Sequence, residues 1–370
     1  MLHFQGFVRD VRYSVCLSHE LPVYQAEVFN INEASSSGLL ICPNGQTGFS
    51  RWVSPKRTRS YPFERLYNTY NCPHRITIIP VIKDEGADGD LDRVQYSTFS
   101  WMNLLNIYVV LAYYSSADKN TSPNRRDKHC LTYQKLDSAF VNAQIEEIQR
   151  YKQSALHWNR TLFETRFVST YQYALEAYQN ISKQTKVNVH SLSRQESYVK
   201  NVIAEYDQFR DISLRGSLGA SKRESGVSHQ MEYLSEGIKA TLEVQNYLGG
   251  VYHLTVDEVI QEGDVYTLQE SKNATKSLLP SLSDIKDGLF KLILYSNLDT
   301  LHHNGEQVAF RTRLKLTGRG VQGTLKMPCT EQDVTEFAER HGRRMKPNLL
   351  KALNEEAKTN GLQIVIGGNQ

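Results

Sequence analysis

The chain has 370 residues, of which 40% are apolar, and a formal net charge of +3. Such a chain is globular, with one large domain or two to three smaller ones, and its near-balanced charge excludes a global field, so a polyanion must bind at local charge clusters. The five cysteines are widely spaced and never form a C-x-x-C motif, so they indicate neither a disulfide framework nor a zinc ribbon.

The N-terminal residues have charges spread through them and lack the apolar core of a signal peptide. The longest apolar run, residues 104–114, is shorter than the roughly 20 residues that a membrane-spanning helix needs. We therefore expect a cytoplasmic protein that does not act in a membrane.

Residues 1–130 predict a β-rich N-terminal region that is a candidate for DNA contact. Strand patterns separated by turn residues lie at 7–16, 23–31, 38–42 and 76–82. Between residues 51 and 75, basic residues alternate with aromatic ones, a composition that suits phosphate contact and base stacking but equally suits a solvated loop with a few core aromatics. Arg57 and Arg59 in this stretch are candidate DNA-binding residues.

An acidic segment, KDEGADGDLDR, occupies residues 83–93. It lacks the fixed order of oxygen ligands and glycine of an EF-hand, and the apolar run that comes next, residues 104–114, ends without a carboxylate and lysine in E-x-K form. We interpret it as an exposed acidic loop, with a structural or catalytic cation site as the alternative.

Residues 131–226 predict a helical region, because apolar residues recur at spacings of three and four with almost no Gly or Pro. The predicted helices span 134–151, 156–182 and 194–209. The region is suited either to clamping nucleic acid or to forming a dimer interface. Residues 213–226 are rich in Ser, Gly and basic side chains, which is typical of a mobile linker or of a loop that contacts DNA.

Residues 251–269 predict a β-hairpin, with alternating β-branched residues on either side of a turn at 262–264. If Gly263 and Asp264 are the central turn residues, Asp257 lies opposite Glu270, and Lys272 shares their face. Two carboxylates so close need a cation or a shared proton, which predicts a Mg²⁺ site. A three-residue turn would bring Glu258 to this face instead, and a surface hairpin with solvated charges is the other alternative.

Helices are predicted on both sides of this hairpin, at 228–248 and 283–297.

Farther on, Arg311, Arg313 and Lys315 alternate along a strand and should share one face, with Arg319 extending the positive surface. These residues are candidates for DNA binding, or they protect a solvated edge strand. Two further helices are predicted at 330–341, with a capping pattern at its start, and at 347–358.

Asp257 together with Glu270-Ser271-Lys272 at the end of a strand resembles the motif of the PD-(D/E)XK nuclease superfamily, and of type II restriction endonucleases in particular. The resemblance covers residues 228–297, and Val256 stands where the family pattern has proline. It implies an α/β fold in which a restriction-endonuclease-like mixed sheet is flanked by helices. The nuclease core would be residues 227–328, with a C-terminal helical segment at 329–370.

The resemblance also implies an activity, namely Mg²⁺-dependent, site-specific cleavage of double-stranded DNA by a homodimer. Asp257 and Glu270 would hold the metal with the backbone carbonyl of Ser271, and Lys272 would orient the attacking water. A further carboxylate would be Glu236 or Glu232. Two alternatives remain, a nucleic-acid-binding protein that keeps a nuclease-like core without catalysis, and a defence or repair nuclease without sequence preference.

Overall fold

The computed structural model describes residues 2–56, 61–94, 96–121, 130–191, 193, 195–198, 237–246 and 251–368. The chain forms two compact units. The first comprises the described residues within Met1–Glu20 and Ser217–Gln370, and the second those within Leu21–Gly216. The N-terminal strand, Leu2–Val8, thus belongs to the same unit as the C-terminal sheet. The region boundaries predicted at residues 130, 226 and 328 did not anticipate this long-range pairing.

The described residues form runs of strands separated by single helices or helix pairs. In chain order, the strands are β1 (Leu2–Val8), β2 (Val23–Gln25), β3 (Ser37–Cys42), β4 (Gly45–Arg51), β5 (Arg75–Pro80), β6 (Ile82–Asp84), β7 (Leu91–Arg93), β8 (Tyr108–Ala112), β9 (Tyr114–Lys119), β10 (Leu131–Leu136), β11 (Ile238–Asn246), β12 (Val251–Glu262), β13 (Val265–Ala274), β14 (Thr300–His303), β15 (Glu306–Gln307), β16 (Ala309–Gly318), β17 (Thr324–Met327) and β18 (Gln363–Gly368). The helices are α1 (Pro62–Asn68), α2 (Tyr96–Leu104), α3 (Ser138–Arg150), α4 (Ala155–Thr185), α5 (Leu282–Tyr295), α6 (Glu331–His341) and α7 (Pro347–Asn360).

The first unit is built on a nine-stranded mixed sheet with the order β15-β14-β1-β11-β12-β13-β16-β18-β17. Strands β11, β12 and β13 pair antiparallel, whereas β13, β16 and β18 run parallel. The expectation of an α/β protein with a large mixed sheet flanked by helices is therefore confirmed.

Helix α5 comes after β13 in the chain, and the short strands β14 and β15 lie between α5 and β16. The helix packs on the parallel strands β13 and β16. Its apolar stripe is fully buried, as the sequence pattern at 283–297 predicted. Ser281 caps its N-terminus in a capping box with Asp284. Gly288 allows the close approach, because a Cβ there would lie 2.8 Å from Leu314 Cδ1.

The helix predicted at 228–248 is wrong for residues 238–246, which form β11. Ala240, Leu242 and Val244 are buried and alternate with less buried residues, which is the period of a strand. The helical interpretation relied on Ile238 and Leu242, whose spacing of four also fits a strand. Residues 228–236 and Gly249-Gly250 lie outside the described residues.

The second unit contains a five-stranded sheet with the order β2-β3-β4-β5-β8. The strand predicted at 38–42 is confirmed as β3, and that at 76–82 divides into β5 and β6. The strand at 23–31 ends at Gln25, where a 3₁₀ turn over Ala26–Val28 begins. The strand predicted at 7–16 is wrong beyond Val8, where β1 ends.

The helical part of the second unit is shorter than predicted at its start. The helix predicted at 134–151 begins at Ser138, because residues 131–136 form β10 and Asp137 accepts a hydrogen bond from Phe140 N at 2.9 Å as the N-cap. Helix α4 confirms the prediction at 156–182. Most of the helix predicted at 194–209 lies outside the described residues, as do residues 213–226.

The two C-terminal helices are confirmed as α6 and α7, and Thr330 and Asp333 form the predicted capping box. The helical segment predicted at 329–370 is wrong for Gln363–Gly368, which form β18 between β16 and β17 of the large sheet. None of the helices among the described residues has both the length and the apolar character needed to cross a bilayer.

Gly318 at the end of β16 tests directly how closely this strand packs against the backbone of Leu278. An added Cβ would lie 1.9 Å from the carbonyl oxygen of Leu278, so the backbone itself would have to move. We expect Gly318→Ala to lower the free energy of unfolding by more than about 3 kcal/mol in urea denaturation. Gly367→Ala is the matched control, because its Cβ would meet only Thr324 Oγ1 at 3.8 Å. Equal stability of the two variants would contradict the packing described.

Candidate active site

The hairpin of β12 and β13 has the register predicted from its turn. Glu262 pairs with Val265, and the ladder continues to Glu258 and Gln269. Asp257 and Glu270 are the next residues on the two strands, and their side chains interact. The alternative register is wrong. Glu258 hydrogen bonds to the side chain of its partner Gln269 and accepts from Gly237 N at 2.7 Å, rather than contacting α5.

Asp257, Glu270 and Lys272 come together beneath α5. Glu270 is fully buried, and its Oε1 lies 3.2 Å from Lys272 Nζ. The side chain of Asp257 is 40% exposed, so the cluster opens to solvent on its side. Ser271, between the acid and the lysine, is exposed and points to the opposite face of the strand.

Two residues of α5 complete the cluster, and the sequence did not identify them. Lys291 Nζ lies 2.7 Å from Glu270 Oε1 and 3.7 Å from Asp257 Oδ1. Asp287 Oδ2 accepts a hydrogen bond from Lys272 Nζ at 3.0 Å. The available signal was their spacing of four residues, which places an acid and a lysine on one side of the helix that comes after the motif.

The cluster contains three carboxylates and two ammonium groups, and therefore one excess negative charge in a largely buried position. Burial, and secondarily the nearby Asp257, raises the pKa of Glu270 to about 7, against the opposing effect of Lys291 and Lys272. Burial also acts to raise the pKa of Asp257, but Lys291 and the interaction with Glu270 hold it below its usual range. The site thus needs either a proton or a further cation.

The residues present fit a divalent metal. Glu270 Oε2 is buried and receives no hydrogen bond, so one carboxylate oxygen is open to a cation. Among the described residues no three or more His, Cys, Asp or Glu side chains are grouped so that they could hold a metal together, so this acid pair would supply only two side-chain ligands. A metal here would be held by Asp257, Glu270 and the backbone carbonyl of Ser271, with water completing the shell, as Mg²⁺ commonly is.

The predicted cationic stripe lies on the other face of the sheet. Paired residues of parallel strands share a face, and Glu270 pairs with Leu314, whereas Ser271 pairs with Lys315. Arg311 and Arg313 alternate with Lys315 as predicted, and both interact with Glu262. The geometry therefore does not support one DNA surface that combines this stripe with the acids. Arg319 is exposed just beyond β16.

The acidic segment at 83–93 is not the exposed loop that was predicted. It forms the hairpin of β6 and β7, in which Asp84, Glu85 and Asp92 are at most 4% exposed. Each has a compensating partner. The partner groups are His190 Nδ1 for Asp84 at 2.9 Å, Lys83 for Glu85 at 2.9 Å, and Ser54 and Lys56 for Asp92 at 2.6 and 2.5 Å.

The basic residues between 51 and 75 serve the core of the second unit where the structure describes them. Arg51, Arg65 and Arg75 donate to the main-chain carbonyls of Ile31, Arg51 and Leu105 at 2.6–2.7 Å. Burial lowers the pKa of each guanidinium. Arg57 and Arg59, and the candidate carboxylates Glu232 and Glu236, lie outside the described residues.

Comparisons with protein-family models, with curated proteins and with solved structures give no match to this chain.

The excess charge of the cluster predicts a pH dependence in metal-free protein. Because the pKa of Glu270 rises from 4.5 to about 7, the folded protein keeps a proton that the unfolded chain has lost, and this stabilisation disappears as the pH rises through 7. In chelator, we expect wild-type protein to lose about 1 kcal/mol of unfolding free energy between pH 6 and 8 relative to Glu270→Gln. Urea denaturation at both values measures it.

Glu306→Gln, which removes an exposed carboxylate from β15, is the control and should track the wild-type curve. Parallel curves for wild type and Glu270→Gln would show that folding does not change the protonation of Glu270, and they would contradict its raised pKa.

Proposed function

We propose that this chain is a Mg²⁺-dependent DNA endonuclease of the PD-(D/E)XK type, with Asp257, Glu270 and Lys272 as its catalytic residues. The observation that carries the proposal is the buried Glu270 opposite Asp257, with an unpaired carboxylate oxygen and an ammonium group 3.2 Å from the other oxygen. Perturbed carboxylates held together against their mutual repulsion are typical of functional sites.

The surroundings of the motif support the proposal in part. A hairpin that carries the acids and a helix after it are the parts of the expected arrangement that the chain has. The helix expected before the hairpin is replaced by β11 over the described residues 238–246. The resemblance therefore rests on the hairpin and on α5.

The residues have separable roles in phosphodiester hydrolysis. A bound Mg²⁺ would supply Lewis acidity toward the phosphate and a water of lowered pKa. Asp257 and Glu270 hold that position, and Asp257 borders solvent, so substrate approaches from its side. Although burial opposes it, Glu270 and Asp287 raise the pKa of Lys272, which therefore donates as an ammonium to the water or to the phosphate oxygens.

The substrate class that suits this chemistry is double-stranded DNA, and the expected active species is a homodimer. Each chain carries one such acid pair among its described residues, and cutting two antiparallel strands requires two sites, which a two-fold pair of subunits presents. Site-specific cleavage is the proposal, and discrete bands rather than a smear from phage DNA would support it over a nuclease without sequence preference.

We expect Asp257→Asn, Glu270→Gln and Lys272→Met each to lower plasmid cleavage in Mg²⁺ by a factor of roughly 10² to 10³ or more, because each removes a group that acts on the transition state. DNA binding in Ca²⁺ should change by less than about threefold. Asp264→Asn, an exposed acid in the turn of the same hairpin, is the control and should keep wild-type activity.

Three outcomes would contradict the proposal in different ways. Cleavage by Glu270→Gln near the wild-type rate would remove this site and direct attention to the buried acids of the hairpin at 83–93. DNA binding without cleavage in any metal would indicate a binding protein, and the absence of both would exclude a DNA substrate.

A further inference from the structure

Lys291 occupies the place between the two acids that a metal ion would need. Its ammonium reaches Glu270 Oε1 at 2.7 Å and Asp257 Oδ1 at 3.7 Å, and no other lysine among the described residues forms an ion pair with both. The side chain is 20% exposed and comes from the helix facing the strand, not from the motif itself. It therefore acts as a cation attached to the protein at the acid pair.

The two lysines of the cluster differ in what would hold them if a metal arrived. Lys272 has a second carboxylate partner, Asp287, at 3.0 Å, which is not among the expected metal ligands. The carboxylate partners of Lys291 are Glu270 and Asp257, the two side chains that would bind the metal. A divalent ion between these carboxylates would lie within a few ångströms of the Lys291 ammonium. The two positive charges would repel each other, and no other carboxylate in the part of the chain that the structure describes pairs with Lys291 to hold it there.

We propose that Lys291 is a tethered counter-ion that neutralises the acid pair in metal-free protein and withdraws when a divalent ion binds. This inference rests on the proposed function, since it takes Asp257 and Glu270 as metal ligands. The flexible four-carbon stem of a lysine permits such a withdrawal. The exchange weakens the intrinsic metal affinity and frees an ammonium beside the metal, where a substrate phosphate supplies a new partner.

A purely structural ion pair makes the opposite prediction. If Lys291 only holds the two carboxylates in the geometry that a metal requires, its removal disorders the ligands and weakens metal binding. If it competes for them, its removal strengthens metal binding, although the metal-free protein becomes less stable because buried carboxylates lose their counter-ion. The sign of the change in affinity therefore distinguishes the two roles.

The test is calorimetric titration of the full chain with Ca²⁺, which is a probe of the site independent of turnover. We expect Lys291→Met to bind Ca²⁺ about tenfold or more tightly than wild type. Its thermal midpoint should fall in chelator and recover more in Ca²⁺ than that of wild type. Lys291→Arg, which keeps the charge, should remain within about threefold of the wild-type affinity.

Lys276→Met is the matched control, since it removes one positive charge from an exposed position four residues beyond Lys272, where solvent and salt screen it. Its Ca²⁺ affinity should stay within about twofold of wild type. If Lys291→Met does not fold, Lys291→Gln carries the same expectation, because a neutral amide still donates one hydrogen bond to Glu270.

The failures of the two proposals are distinguishable. Ca²⁺ binding that is lost in Asp257→Asn but unchanged or weakened in Lys291→Met would overturn the counter-ion role and leave the metal site standing. An absence of Ca²⁺ binding in wild type and in both Lys291 variants would overturn the metal site itself.

Discussion

The buried charge of Glu270 is the constraint on which the candidate site depends. A carboxylate without solvent exposure on a central strand is unstable unless cations reach it, and here Lys272 and Lys291 reach the same oxygen from the strand and from the helix. This requirement fixes the position of α5 over β13, and Gly288 permits it, since an added Cβ would contact Leu314 and lie 3.3 Å from Lys272 Cε. Asp257 and Asp287 bring the carboxylates to three, which leaves the cluster one positive charge short and suits it to a metal ion.

The two faces of the large sheet have different chemistry. The face under α5 carries Asp257, Glu270, Lys272 and the apolar residues Leu314 and Leu316, and Lys291 reaches it from α5. The opposite face is half-buried and polar, and there Arg311 and Arg313 share their charge with Glu262. Under the proposed function, a substrate would reach the acid pair beside Asp257, whose side chain is exposed to solvent, and the groups that hold it would lie on that face of the sheet.

Local patterns predicted the parts of the fold that local chemistry decides. The turn residues Gly263 and Asp264 set the hairpin register as far as the pair of Glu258 with Gln269, which brings Asp257 near Glu270, without knowledge of the rest of the chain. The stripe of α5 and the cap at Thr330 were equally readable. In each case residues within a few positions of one another determine the outcome.

The errors have the opposite origin, because they depend on distant partners. Strand β11 is held by β1 from the other end of the chain, and its apolar spacing fitted a helix as well. Asp84, Glu85 and Asp92 were predicted to be exposed because nothing in the local sequence shows that the distant His190 and Lys56 contact Asp84 and Asp92. Lys291 was missed because a lysine on an amphipathic helix normally faces solvent, and only the tertiary fold turns it toward Glu270.

The central claim is that Asp257 and Glu270 form one metal site, and anomalous diffraction from crystals soaked in Mn²⁺ tests it most directly. The account predicts an anomalous peak with oxygens of both carboxylates about 2.0–2.3 Å away, and with the Lys291 ammonium displaced from between them. A peak elsewhere, or saturating Mn²⁺ with Lys291 still bridging the two acids and no metal beside them, would contradict it.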